Sequence, residues 1–118
     1  MERKNYLSIV SHYESCLDRY GDTHLGVDWP KKEEATTRYR VMLEVIKPEP
    51  RIRPVRLLDF GCGASHLYDY IQKTRRNEIA YAGLDLSEKF VTLSRSKFPE
   101  NHYYCVDILD EEDRKSVV

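Results

Sequence analysis

Hydrophobic and polar positions follow two different periods in the second half of the chain. Three short apolar runs, at residues 55–60, 79–84 and 102–106, have the length and composition of strands. Between them, apolar residues recur at the three- and four-residue spacing of a helix face. These residues are Leu67, Tyr70 and Ile71 in one helix and Phe90, Leu93 and Phe98 in the next. Strands that alternate with helices predict an α/β unit built on a parallel sheet.

The first fifty residues carry helical periodicity only. One helix is predicted over about residues 3–20, with Gly21 as its stop. A second is predicted from Pro30 to about residue 47, before the prolines of residues 48–54. The apolar faces consist of Leu7, Val10 and Leu17 in the first helix and of Tyr39, Met42, Leu43 and Ile46 in the second. The proline-rich stretch is too short to separate two domains, so the 118 residues predict a single domain.

The first strand runs into a turn that contains two glycines, Gly61 and Gly63, with Cys62 between them. A strand that enters a helix through a glycine turn is the first half of a nucleotide-binding βαβ unit. Glycine suits that position because a side chain would keep the backbone away from a ligand. The dinucleotide pattern G-x-G-x-x-G is incomplete, since His66 occupies the place of its third glycine.

The charge beside this turn bears on the ligand. Asp59 lies two residues before Gly61, at the end of the predicted strand. Two unit charges about 4 Å apart interact by roughly 1 kcal/mol in water and about 4 kcal/mol at a partly buried surface. A carboxylate there repels a pyrophosphate but attracts the sulfonium and ammonium groups of S-adenosylmethionine. Asp59 therefore favours S-adenosylmethionine over NAD.

The segment Leu57-Leu58-Asp59-Phe60-Gly61-Cys62-Gly63 resembles the first motif of the class I S-adenosylmethionine-dependent methyltransferases. That motif is a hydrophobic pair, an acid and then G-x-G. Ser65 departs from it, because many members of the family have a third glycine at this place. The resemblance implies a Rossmann-like parallel sheet, and cofactor binding at Asp59, Gly61, Cys62 and Gly63.

Two further acids end the second and third predicted strands. Asp85 follows Gly61 by 24 residues, where nucleotide-binding βαβ units hold the ribose hydroxyls. The stretch from Gly83 to Ser87 resembles the family's second motif, which implies that Leu86 lies against the adenine. The resemblance also implies that Asp107 accepts from the adenine amino group and that the backbone N–H of Ile108 meets a ring nitrogen. The alternative is that Asp85 caps the next helix and that Asp107 is a turn or cap acid, although Ser87 can cap instead of Asp85.

The two N-terminal helices resemble the lid that covers the cofactor in this family. The matching residues are Val27-Asp28-Trp29-Pro30 and Arg38-Tyr39-Arg40. The resemblance implies that Arg38, or else Arg40, pairs with the cofactor's carboxylate, a bidentate contact that a guanidinium suits. The alternative is that both arginines are solvated charges on an amphipathic helix. Trp29 is interpreted as packing within the lid.

Composition narrows the classes of function. The chain has 19 Lys and Arg against 20 Asp and Glu, so no basic excess indicates a nucleic-acid surface. No apolar run predicts a membrane span or a signal peptide. Three widely spaced cysteines indicate reduced thiols, so we expect a cytoplasmic protein. The four histidines lack partners at ligand spacing, and the acids at 110–113 are interpreted as a helix start. The sequence therefore predicts no metal site, and it assigns no catalytic residue.

Length adds one more expectation. The sheet of the methyltransferase family is larger than the approximately three strands that 118 residues can hold. The resemblance thus implies a truncated domain, with a helical lid at residues 1–50 and a cofactor-binding βαβαβ unit at residues 55–118. We expect this chain alone to transfer no methyl group. The methyl acceptor of the whole domain is not predicted. We also expect the chain to self-associate through the open edge of the first strand. The alternatives are an NAD(P)-binding oxidoreductase fragment and a non-catalytic interaction module on the same fold.

Overall fold

The first helix, α1 (Arg3–Tyr20), ends at Gly21 as predicted. The computed structural model describes residues 3–27, 31–47, 49–107 and 109–115, and it divides into two compact units, residues 1–45 and 46–118. Gly21 has a left-handed φ of +69°, and its N–H donates to the carbonyl of Leu17 at 2.8 Å. This is the helix stop that glycine makes at low cost.

The second helix is shorter than predicted. A 3₁₀ turn at Leu25–Val27 precedes α2 (Lys32–Leu43), and residues 44–46 form a turn instead of continuing the helix. The N–H of Glu44 donates to a carbonyl three residues back, which tightens the helix end. The predicted apolar face is wrong at Met42, whose side chain is 48% exposed. Pro30 and Pro48 lie outside the described residues.

The second unit contains three parallel strands in one sheet, as predicted. They are β1 (Val55–Phe60), β2 (Ile79–Asp85) and β3 (His102–Cys105), in the order β1-β2-β3. In the register, Asp59 lies opposite Gly83, and Gly83 lies opposite Tyr103. Because all three strands run the same way, their carboxyl ends meet at one edge of the sheet.

Helices follow each strand: α3 (His66–Lys73), α4 (Glu88–Lys97) and the short α5 (Glu111–Lys115). The sheet and its helices bury an apolar core that includes Leu67, Tyr68, Ile71, Tyr81, Phe90, Val91 and Tyr103. Of the predicted helix faces, Tyr70, Leu93 and Phe98 are only half-buried. None of the described helices is long and apolar enough to cross a membrane.

The first strand is less buried than its apolar sequence predicted. Leu57 and Leu58 are half-buried, and Phe60 is 62% exposed. Within the described residues β1 pairs only with β2, so it is an edge strand whose other side has no strand partner. An edge position exposes more of a strand than a central position does.

Candidate functional site at the carboxyl edge of the sheet

The glycine turn after β1 contains three residues with left-handed backbone conformations. Gly61, Gly63 and Ser65 all have left-handed φ values, of +71°, +52° and +60°. The N–H groups of Gly61 and Cys62 both donate to the carbonyl of Leu84, at 2.7 and 3.0 Å, which ties the turn to the end of β2. A Cβ added to Gly61 would meet nothing within 4 Å. The backbone at Gly61 therefore faces open space that a side chain would partly fill.

Ser65 explains why glycine is favoured at its position in the resembling motif. Its φ of +60° and ψ of +38° place it in the left-handed region, which glycine adopts without strain. Here the serine is fully buried, and its hydroxyl donates to the Oγ of Ser94 at 2.8 Å. The hydrogen bond thus helps to hold a backbone conformation that a serine rarely adopts.

Asp85 connects the glycine turn to the start of α4. Its Oδ2 accepts from the N–H of Gly63 at 2.9 Å, and its Oδ1 accepts from the N–H of Ser87 at 2.9 Å. The Oγ of Ser87 accepts from the N–H of Phe90 at 3.2 Å, so Ser87 is the cap of α4. Each oxygen of Asp85 keeps a second lone pair. The carboxylate is therefore held in place and retains the capacity to accept from a diol.

Asp59, beside the turn, is a buried acid whose pKa is raised. Burial raises the pKa of its carboxyl from 3.8 to about 6; the hydrogen bond from Tyr81 opposes this rise, and the nearby charge of Asp85 adds to it. The Tyr81 hydroxyl donates to Asp59 Oδ2 at 2.7 Å, and burial followed by the charge of Asp59 raises the pKa of that tyrosine. At neutral pH the Asp59 carboxylate is thus mostly ionised, in a place where an ionised group is costly.

Cys62 lies between the two glycines and is buried. Burial, and then the charges of Asp85 and Asp59, raise the pKa of its thiol to about 12. The group is therefore a thiol at neutral pH and not a nucleophile. A Cβ added to Gly83 on β2 would lie 2.8 Å from Cys62 Sγ, so the small residues at both positions allow the turn to pack on the strand.

The third acid, Asp107, makes the hydrogen bonds expected of a turn or cap acid. Asp107 Oδ1 accepts from the N–H of Leu109 at 2.9 Å, and its own N–H donates to Asp113 Oδ2 at 2.9 Å. Asp107 therefore shapes the turn that leads into α5. Its contact with adenine stays a prediction, and so does that of Leu86, which is 39% exposed just after β2. Ile108 lies outside the described residues.

The predicted arginines belong to the first unit. Arg38 and Arg40 are exposed on α2, and Arg40 Nη1 lies 3.5 Å from Glu44 Oε1 in a solvated ion pair. The carboxylate-binding role of Arg38 stays a prediction. Trp29 lies outside the described residues. In the described part of the chain, no group of three His, Cys, Asp or Glu side chains is placed to hold a metal ion.

Sequence reasoning missed three residues that hold the turn. Tyr81 bonds Asp59, while Ser94 and Lys97 on α4 donate to the carbonyls of Gly63 and Ala64, at 2.7 and 2.6 Å. A tyrosine in the middle of an apolar strand was the one available signal. Ser94 and Lys97 carry no signal, because a polar residue on a helix is ordinarily solvated.

Several solved structures are similar to this chain in fold. No protein-family model and no curated protein matches the sequence. The CurJ carbon methyltransferase is 20% identical, with a TM-score of 0.52 over 97% of this chain and 40% of its own. The plantazolicin methyltransferase BpumL, in complex with a pentazolic desmethylPZN analog and SAH, is 18% identical, with a TM-score of 0.51 over 92% of this chain and 44% of its own.

The chain has the class I methyltransferase fold.

The same fold also occurs in the [4+2]-cyclase SpnF, which is 24% identical, with a TM-score of 0.52 over 67% of this chain. The methyltransferase fold therefore does not by itself imply methyl transfer. The chain spans only 29 to 44% of the length of these three structures.

Proposed function

We propose that this chain is the S-adenosylmethionine-binding part of a methyltransferase. The observation that carries the proposal is the glycine turn itself, which is open at Gly61 and flanked by the carboxylates of Asp59 and Asp85. A ligand that combines positive charge with a ribose diol fits this set of acceptors. The methyltransferase fold and the SAH-bound BpumL support the proposal.

The backbone of the turn opposes a pyrophosphate ligand. Dinucleotide folds bind phosphates with free N–H groups at a glycine turn. Here the N–H groups of Gly61 and Cys62 both donate to Leu84, and the N–H of Gly63 donates to Asp85. Three donors that a phosphate would use are thus engaged within the protein. With Asp59 adding a nearby negative charge, S-adenosylmethionine is favoured over NAD(P).

The chain's own residues have distinct roles in this proposal. Asp59 offsets the cationic charge of the ligand, Asp85 accepts from the ribose hydroxyls, and Leu86 packs on the adenine. Asp107 accepts from the adenine amino group, and the backbone N–H of Ile108 donates to a ring nitrogen. Arg38 pairs with the ligand's carboxylate. When bound, S-adenosylmethionine supplies an electrophilic methyl group, and the protein acts by positioning it. The methyl acceptor and any general base are not assigned to a described residue.

A thermal-shift comparison tests the proposal. S-adenosylhomocysteine at 100 times its Kd would stabilise the folded chain by about 2.7 kcal/mol, whereas NAD at the same concentration would give no shift. A shift with NAD alone would replace the proposal with the oxidoreductase alternative. No shift with either ligand would favour a non-catalytic module that uses the nucleotide fold for protein contacts.

A further inference from the structure

The two peptide units that meet at Gly63 are both held by hydrogen bonds. The Gly63 N–H donates to Asp85 Oδ2 at 2.9 Å, and the Gly63 carbonyl accepts from Ser94 Oγ at 2.7 Å. The carbonyl of Ala64 is held from the same helix, because Lys97 Nζ donates to it at 2.6 Å. Ser94 and Lys97 lie three residues apart on α4, so one face of this helix orients two successive carbonyls of the turn.

The buried hydroxyls have a fixed hydrogen-bond direction. A serine hydroxyl has one proton to donate. Ser65 uses its proton on Ser94, and Ser94 uses its proton on the Gly63 carbonyl. Both side chains are fully buried, so solvent reaches neither hydroxyl. The chain of bonds therefore runs from the left-handed residue Ser65, through α4, to the middle of the glycine turn.

We propose that Ser94 is a positioning residue for the cofactor turn. The Gly63 carbonyl belongs to the Gly63–Ala64 peptide, and the Gly63 N–H belongs to the preceding peptide. By holding the carbonyl, Ser94 limits rotation about the Gly63 backbone, whose left-handed φ of +52° sets the direction in which the Gly63 N–H meets the Asp85 carboxylate. Ser94 is fully buried on α4 and acts on a ligand only through Gly63 and Asp85. This inference rests on the proposed function for its ligand, S-adenosylhomocysteine, but its geometric claim about Gly63 does not.

The test compares Ser94→Ala with Ile71→Val, which removes buried volume from α3 and touches none of these bonds. Ser94→Ala removes the short donor to the Gly63 carbonyl, which keeps only the contact from Cys62 Sγ at 3.7 Å, and it removes the acceptor of the Ser65 hydroxyl. We therefore expect affinity for S-adenosylhomocysteine to fall about tenfold or more in calorimetry. Hydrogen exchange of the Gly63 amide, followed by NMR, should become faster in Ser94→Ala. Ile71→Val should change neither, although it lowers the thermal midpoint.

The outcomes separate the two claims. Unchanged affinity and unchanged Gly63 exchange in a folded Ser94→Ala would overturn the inference. If the wild-type chain binds no S-adenosylhomocysteine, the proposed function fails, and Gly63 exchange still decides the positioning role. If Ser94→Ala does not fold, Ser94→Cys takes its place, because it keeps the size with a weaker donor. It should then lie between wild type and complete loss, and wild-type behaviour on both readouts would contradict the role.

Discussion

Replacing Asp59 by asparagine should make the chain more stable and a poorer ligand binder at neutral pH. The native carboxyl is a buried acid whose pKa is raised to about 6, with burial as the main cause. Asparagine keeps the shape and an oxygen that accepts from the Tyr81 hydroxyl, now 2.7 Å from the carboxylate. It carries no charge to desolvate. Ligand-binding sites often contain groups that destabilise the folded state, and replacing such a group raises stability while it weakens function.

The magnitude follows from the linkage between protons and folding. The unfolded carboxyl has a pKa of 3.8, and the folded one has a pKa of about 6. Between these values the folded state binds more protons than the unfolded state, so Asp59 lowers stability as pH rises through this window. The full cost above pH 6 is about 3 kcal/mol, at 1.36 kcal/mol for each pKa unit. Asparagine has no such pH dependence.

Urea denaturation of wild type and Asp59→Asn at several values between pH 4 and pH 7.5 measures this directly. The stability of the variant relative to wild type should rise by about 2.4 kcal/mol from pH 4 to pH 7.5, because the unfolded carboxyl is already more than half ionised at pH 4. Other titrating groups are common to both proteins. Asp69→Asn is the matched control. Asp69 forms an exposed ion pair with Lys73 at 2.7 Å, and such a pair contributes about 0.3–0.5 kcal/mol.

Two results would refute this reasoning. One is a stability difference between Asp59→Asn and wild type that stays constant from pH 4 to pH 7.5, which would show that Asp59 has no raised pKa. The other is a stabilised variant that binds S-adenosylmethionine as tightly as wild type, which would remove the Asp59 carboxylate from the ligand site.

Three other predictions concern the same unit. Asp85→Ala should weaken S-adenosylhomocysteine binding by about 1.5–3 kcal/mol and Asp110→Ala should not, so equal affinities in calorimetry would exclude Asp85 from the site. Gly83→Ala places a Cβ 2.8 Å from Cys62 Sγ, which should cost about 1–3 kcal/mol in urea denaturation, and adding Cys62→Ala should recover part of it. Because β1 has no strand partner on its outer edge within the described residues, we expect self-association; a concentration-independent mass of 14.0 kDa in light scattering would contradict it.

The sequence predicted the elements whose signals are local. Periodicity located all three strands, and the glycines after β1 marked the turn. The parallel topology brought Asp59 and Asp85 to one edge of the sheet, close enough for their charges to interact. These features depend on neighbouring residues and on the direction of the chain.

What the sequence did not predict depends on contacts between distant residues. Ser94 meets Gly63 across 31 positions, and Tyr81 meets Asp59 across 22. No spacing rule connects such pairs. The exposure of Phe60 likewise follows from the edge position of β1 and not from its own apolar side chain.

The central claim is that the carboxyl edge of the sheet binds S-adenosylmethionine through the glycine turn. Titration of the ¹⁵N-labelled chain with S-adenosylhomocysteine, followed by NMR, tests where a ligand binds as well as whether it binds. The account predicts saturable shifts of the amides at residues 59–65 and 85–87, and none with NAD. Shifts confined to the opposite end of the sheet, around residues 71–77, or equal shifts with NAD, would contradict it.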